Sequence, residues 1–267
     1  MLGKLLKYEF KATSRLLGLI YLAVLAAAVA AGILGRSNIA SLSAQNEIAA
    51  GIITMIYGIL IVSMIVITLL LIVERFYKNM LQGEGYLMHT LPVPTWMHVA
   101  SKSISAFVWI VIAVAVLFFS IVILIAVGGD WKEFREVFYA GFWEAIAKHA
   151  GMIIALIIAT FVQLVRIVLM FYASMSMGAA SRRHKIFFSI LAFVVIIIVI
   201  NVISTVTNLG LITTFIRGAD DVTFVMGIRE AEFLTRLIVK QIFTDVVYSV
   251  IFFGVTTFFL KRKLNLE

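Results

Sequence analysis

Two charged residues stand inside otherwise uncharged stretches of this sequence, and they raise the first question of chemistry. Residues 149–181 carry no charge apart from Arg166 and the histidine His149, and residues 241–260 carry only Asp245. Arg166 stands as far before Arg182 as Asp245 stands before Lys261. If both stretches are continuous helices running the same way, the two charges sit at similar depth and an Arg166–Asp245 ion pair is geometrically open. A lone charge at a bilayer centre costs at least about 2.5–3.5 kcal/mol, so each needs a partner. Such a pair could line a substrate route or a subunit seam. The plainer readings are a structural pair, or separate snorkelling to the two interfaces.

The remaining chemistry-bearing residues exclude more than they suggest. There is no cysteine, hence no disulfide, thiolate metal site or cysteine nucleophile. The histidines His89, His98, His149 and His184 are scattered, and His149 falls on the opposite side of the chain's layout from the other three, so a shared metal is not expected. The sequence contains no G-x-x-x-x-G-K-S/T, no H-E-x-x-H and no G-x-S-x-G. The chain therefore reads as neither an ATPase nor a metalloprotease nor a serine hydrolase, and no residue of it is expected to be catalytic or to bind a metal or cofactor directly.

The elements that must position Arg166 and Asp245 follow from composition. Of 267 residues, 63% are hydrophobic and only 13% charged, against about half and a quarter in a soluble domain. Too few polar residues remain to cover a globule, so lipid is much of the solvent. A hydrocarbon core of about 30 Å takes about 20 apolar residues of helix. Uncharged windows of that length or longer lie between Arg15 and Arg36, Glu47 and Glu74, Lys102 and Asp130, and Lys185 and Arg217. With the two singly charged stretches, six transmembrane helices are predicted at about 16–35, 48–73, 103–127, 149–175, 186–206 and 239–260. The expected fold is thus an all-α integral membrane protein, a single transmembrane domain over 1–267. The first span, preceded by lysines and ending AAAVAAG, reads as an uncleaved signal anchor.

Orientation follows from the basic residues. The N-terminus, the segment between spans two and three, the segment between four and five and the C-terminus together hold 13 Lys or Arg against four acids. The other side holds eight against nine. The basic side is assigned to the cytoplasm, which puts both ends inside. The net charge of +8 then sits beside anionic lipid. Nucleic acid is not an expected partner, because no basic patch is interleaved with stacking aromatics in a soluble segment.

Outside the spans, residues 1–15 read as an amphipathic interfacial helix. Lys4, Lys7, Lys11 and Arg15 form one basic stripe, with Leu2, Leu5, Leu6 and Phe10 largely elsewhere on the wheel. Residues 74–102 form a long cytoplasmic segment holding both prolines, Pro92 and Pro94. Proline forces a turn or an extended run at 91–94, and Tyr86 to Thr90 fits one short helix before it. Tyr86, Leu87, Met88, Leu91, Trp96 and Met97 argue against disorder and for burial against the interface or a partner. Trp131, Phe134, Phe138 and Phe142 recur at helical spacing in the outer segment 128–148, which suits an interfacial helix. The outer segment 207–238 mixes charge with two apolar runs, which suits short helices or a re-entrant hairpin. Gly178, Ala179, Ala180 and Ser181 allow close helix packing at the end of span four.

Two stretches carry a family resemblance. LLKYEFKATSRLL at 5–17 resembles the start of ABC-2 type transporter permeases of the Firmicutes kind, and RFYKNMLQGEGYLMHTLPV at 75–93 resembles their segment between spans two and three. The six-span layout with both ends inside is similar as well. The resemblance implies a permease subunit of an ATP-binding-cassette exporter in a bacterial plasma membrane. It implies a second permease copy or paralogue, and a separate ABC ATPase subunit that supplies ATP and Mg chemistry. The segment between spans two and three would hold a coupling helix docking on that ATPase. It maps to Gly83, Glu84, Gly85, Tyr86, Leu87, His89, Thr90, Leu91 and Pro92, with Glu84, Tyr86, Leu87, His89 and Thr90 as principal contacts. The motifs say nothing of cargo.

Two other classes stay open on the residues alone. A self-contained secondary transporter or channel would prefer several mid-membrane ionisable residues and broken helices, yet no proline interrupts any span. A membrane scaffold or sensor subunit would leave 74–102 without an ATPase.

Overall fold

The computed structural model describes residues 2–39, 44–82, 85, 93–128, 142–181, 184–217 and 226–262. These are almost entirely helical, with no strand among them. In chain order the helices are α1 (Leu2–Ile39), α2 (Ala44–Leu81), α3 (Thr95–Gly128), the short α4 (Phe142–Lys148), α5 (Ala150–Ala179), α6 (Lys185–Arg217) and α7 (Met226–Arg262). All but α4 are long and apolar enough to cross a membrane, which makes six candidate spans.

Helix is the answer the solvent imposes. α6 contains the run VVIIIVINVISTV, whose β-branched residues favour strands in water. In hydrocarbon a lone strand would leave every backbone N–H and C=O unpaired, whereas a helix pairs them within itself. Pro94 stands immediately before α3, where its missing N–H costs nothing.

The long helices overrun the apolar windows that define them. They hold 30 to 38 residues, about 45–57 Å at the helical rise against a core of about 30 Å. Charged residues mark where lipid ends and do not stop a helix. α2 runs on through Glu74, Arg75 and Lys78 to Leu81, and α3 starts at Thr95, well before Lys102. The segment between spans two and three therefore shrinks from the expected 74–102 to 82–94. Likewise α6 continues to Arg217 and α7 begins at Met226, so 207–217 and 226–238 prolong the spans instead of forming separate short helices. α1 is unbroken from Leu2 to Ile39, so residues 1–15 continue the first span without a hinge. The interfacial helix expected at 128–148 falls mostly outside the described residues; Phe142–Lys148 is helical.

The chain divides into two compact units, one of 1–75 and 104–148, the other of 76–103 and 149–267. In the first, Leu17, Tyr21, Val24, Met64, Trp109 and Ala113 form a buried cluster drawn from α1, α2 and α3. Polar side chains tie the same helices. The Thr68 hydroxyl donates to the Met64 carbonyl, the Tyr21 hydroxyl donates to the Trp109 carbonyl at 3.2 Å, and the two hydroxyl oxygens lie 3.2 Å apart. Tyr57 donates to Ser120 Oγ at 2.8 Å. Such bonds satisfy polar groups that hydrocarbon cannot. Near the N-terminal end of α1, Arg75 donates to Thr13 Oγ1 at 2.9 Å and lies 3.4 Å from Glu9 Oε2.

The second unit is organised around α5, which packs against both α6 and α7. Every buried residue of α5 lies at Val168 or beyond, so its C-terminal half is enclosed and its N-terminal half open. Phe76 stacks on Tyr172 with centroids 3.9 Å apart, and Phe171 on Phe193 at 4.6 Å. Gly178 marks the tightest approach. A Cβ there would collide with the backbone and hydroxyl of Ser189 on α6. α7 turns Asp245, Phe252, Thr256 and Leu260 inward.

Candidate functional site

The enclosed half of α5 gives way to the open half at Arg166, near the middle of the Ala150–Ala179 span. Asp245 lies near the middle of the Leu234–Arg262 span on α7. The structure brings the two together: Arg166 Nε is 2.7 Å from Asp245 Oδ1, with the side chains 12% and 1% exposed. The Nε–H does not point at that oxygen, so the contact is electrostatic and not a directed hydrogen bond. Asp245 is instead held by its own helix. Gln241, one turn earlier, donates its amide to both carboxylate oxygens at 3.0 and 3.1 Å. Ser249, one turn later, donates to the Asp245 carbonyl at 2.7 Å. The Gln241 amide thus holds the carboxylate independently of the arginine.

A second polar tier lies five residues up α7, about 7.5 Å away along the axis. Lys240 Nζ donates to Thr207 Oγ1 at 2.9 Å and to Asn208 Oδ1 at 2.5 Å, which joins α7 to α6. Asn208 in turn reaches Ser204 Oγ at 3.4 Å. On the open half of α5, Gln163 is exposed one turn before Arg166. The three stretches 160–166, 201–208 and 240–249 contain Arg166, Lys240 and Asp245 as their charges, so the cluster is net positive by one.

Sequence reasoning named Arg166 and Asp245 but missed Gln241 and the Lys240–Asn208 tie. The signal for Gln241 was its i−4 spacing from Asp245, which on a helix puts both on one face. The stretch 241–260 begins just after Lys240, so a count of charges inside it passes Lys240 over.

The other predicted positions are distributed as follows. Lys4, Lys7, Lys11 and Arg15 are all exposed along one side of α1, while Glu9, Thr13 and Leu17 are buried on the other. Of the expected docking residues, Gly83, Glu84, Tyr86, Leu87, His89, Thr90, Leu91 and Pro92 lie outside the described residues. Gly85 is described: it is buried and its N–H donates to the Gln82 carbonyl at 2.8 Å. His98 and Lys102, one turn apart on α3, are 1% and 4% exposed. No group of metal-binding side chains occurs among the described residues.

Six apolar helices and a paired charge near mid-span define a multi-pass α-helical membrane protein. No family model, curated protein or solved structure matches this chain.

Proposed function

We propose that the chain is the membrane-spanning permease subunit of an ATP-binding-cassette exporter, working with a separate ATPase and a second permease copy or paralogue in a bacterial plasma membrane, with both termini cytoplasmic. The motif RFYKNMLQGEGYLMHTLPV at 75–93 carries this reading. It covers the end of α2 and the residues leading to α3. The absence of a P-loop from the sequence agrees with ATP and Mg chemistry residing in the partner.

In this mechanism the chain itself is not an enzyme. ATP binding closes the partner's nucleotide sites and displaces the segments around 83–92. α2 and α3 transmit the displacement, and the permease pair moves between inward- and outward-facing arrangements. The partner biases those states by binding one of them better. A self-contained secondary transporter is the second reading, favoured by the two-tier polar cluster of Arg166, Asp245, Gln241 and Lys240.

Co-purification separates the two. Tagged, solubilised protein is expected to carry a P-loop ATPase with it, and Glu84→Ala/Tyr86→Ala to lose it while remaining monodisperse. Retention by the variant would move the docking site elsewhere. A native preparation without any ATPase would favour the secondary transporter.

A further inference from the structure

Arg166 spends little of its hydrogen-bonding capacity on Asp245. A guanidinium has five N–H donors, and its strongest pairing with a carboxylate is bidentate, two parallel N–H···O bonds. Here the carboxylate meets Nε alone and off axis, while its oxygens are occupied by the Gln241 amide. The two terminal amino groups of Arg166 have no hydrogen-bond partner among the described residues. The side chain is 12% exposed, its Nε is buried, and it stands near mid-span where the enclosed half of α5 gives way to the open half. Unmet donors in hydrocarbon cost several kcal/mol each. An acceptor from outside the chain is therefore favoured there.

The surroundings narrow its chemistry. The cluster is net positive by one, so an anion is preferred over a neutral acceptor. The planar fork fits two oxygens on one atom, as in a carboxylate or phosphate. Exposed Ile154, Ile157 and Ile158 on the open half of α5 and Phe243 and Val250 on α7 give this unit an apolar outer surface. A free ion would have to shed its water to reach this depth, whereas a headgroup on an apolar body would not travel alone.

We infer that Arg166, held at Nε by Asp245, is the anion-binding fork of a membrane-embedded site for an amphiphile bearing a carboxylate or phosphate. Asp245 and Gln241 act as positioning residues: they set the guanidinium plane so that its outer edge faces the open half of α5. Lys240, engaged by Thr207 and Asn208, supplies long-range positive potential without touching the ligand. The inference needs this unit to face lipid but does not need an ATPase, so it and the exporter reading can fail separately.

Native mass spectrometry of the full chain, released from detergent containing equal amounts of phosphatidylglycerol, phosphatidylcholine and oleate, tests it. The native protein is expected to retain one anionic molecule over phosphatidylcholine by about tenfold, the order of one charge-assisted hydrogen bond. Retention of phosphatidylglycerol would mark the source as a lipid headgroup, and of oleate as a free carboxylate amphiphile. Arg166→Gln/Asp245→Asn keeps a polar side chain at each position and removes both charges, and should abolish the preference. Arg166→Lys keeps the charge and the ion pair without the fork, and should weaken it several-fold, which protects the test if the double variant misfolds. The basic stripe of α1 also attracts anionic lipid, but equally in all three proteins. Equal preference in the native and substituted proteins, or no anion preference in the native protein, would overturn the inference.

Discussion

Asp245→Ala is expected to destabilise the solubilised protein by about 3–5 kcal/mol, because it strands the Arg166 cation among apolar side chains. The size follows from burial. Asp245 is 1% exposed and Arg166 12%, so water screens the pair weakly, unlike a surface ion pair worth under about 1 kcal/mol. Slight exposure lets the guanidinium turn toward a headgroup, which favours the lower end of the range. The same change releases Gln241 from both carboxylate oxygens. Arg166→Met/Asp245→Leu should restore most of the loss, since apolar groups of similar volume replace a buried pair at little net cost. Thermal unfolding followed by tryptophan fluorescence checks both. A single variant as stable as the native protein, or a double variant as unstable as the single, would mean the two charges do not depend on each other.

Gly178→Ala is expected to cost about 1–3 kcal/mol, the range for forcing a methyl into a filled helix interface. The added Cβ would collide with backbone atoms of Ser189, which cannot rotate away as a side-chain end could. α5 and α6 would have to separate near the C-terminal end of α5 and the N-terminal end of α6. Gly151→Ala on the same helix is the control: nothing lies within 4 Å of the added carbon. It should be neutral or stabilise by up to about 1 kcal/mol through helix propensity. Equal effects of the two substitutions on melting would show that α5 does not approach α6 at Gly178.

The sequence made the spans legible because hydrocarbon tolerates few charges, so their spacing alone marks where lipid lies. It made the depths of Arg166 and Asp245 comparable because each stands equally far before its next basic flank, Arg182 or Lys261. It did not reveal how far each helix continues. Glu74, Arg75 and Lys78 end an apolar window yet sit comfortably in α2, since helical backbone is self-satisfied in water and lipid alike. Nor did it reveal what holds Asp245, because Gln241 is uncharged and passes unnoticed in a charge count. The Lys240–Asn208 tie joins residues 32 apart in sequence, a pairing no periodicity encodes. The enclosed and open halves of α5 are equally invisible: both are apolar, and in lipid an apolar residue says nothing about whether protein or acyl chain covers it.

The central claim is that a separate ATPase docks on the segment around 83–92, and proximity tests it most directly. The chain has no cysteine, so Leu87→Cys and Trp143→Cys each place a single thiol, the latter on exposed α4. Membranes from cells expressing each variant would be treated with a thiol-to-amine crosslinker and the products identified by mass spectrometry. The exporter reading predicts a P-loop ATPase joined to position 87 and not to position 143. An ATPase joined to position 143, or none joined to position 87 in membranes where the chain is folded, would contradict it.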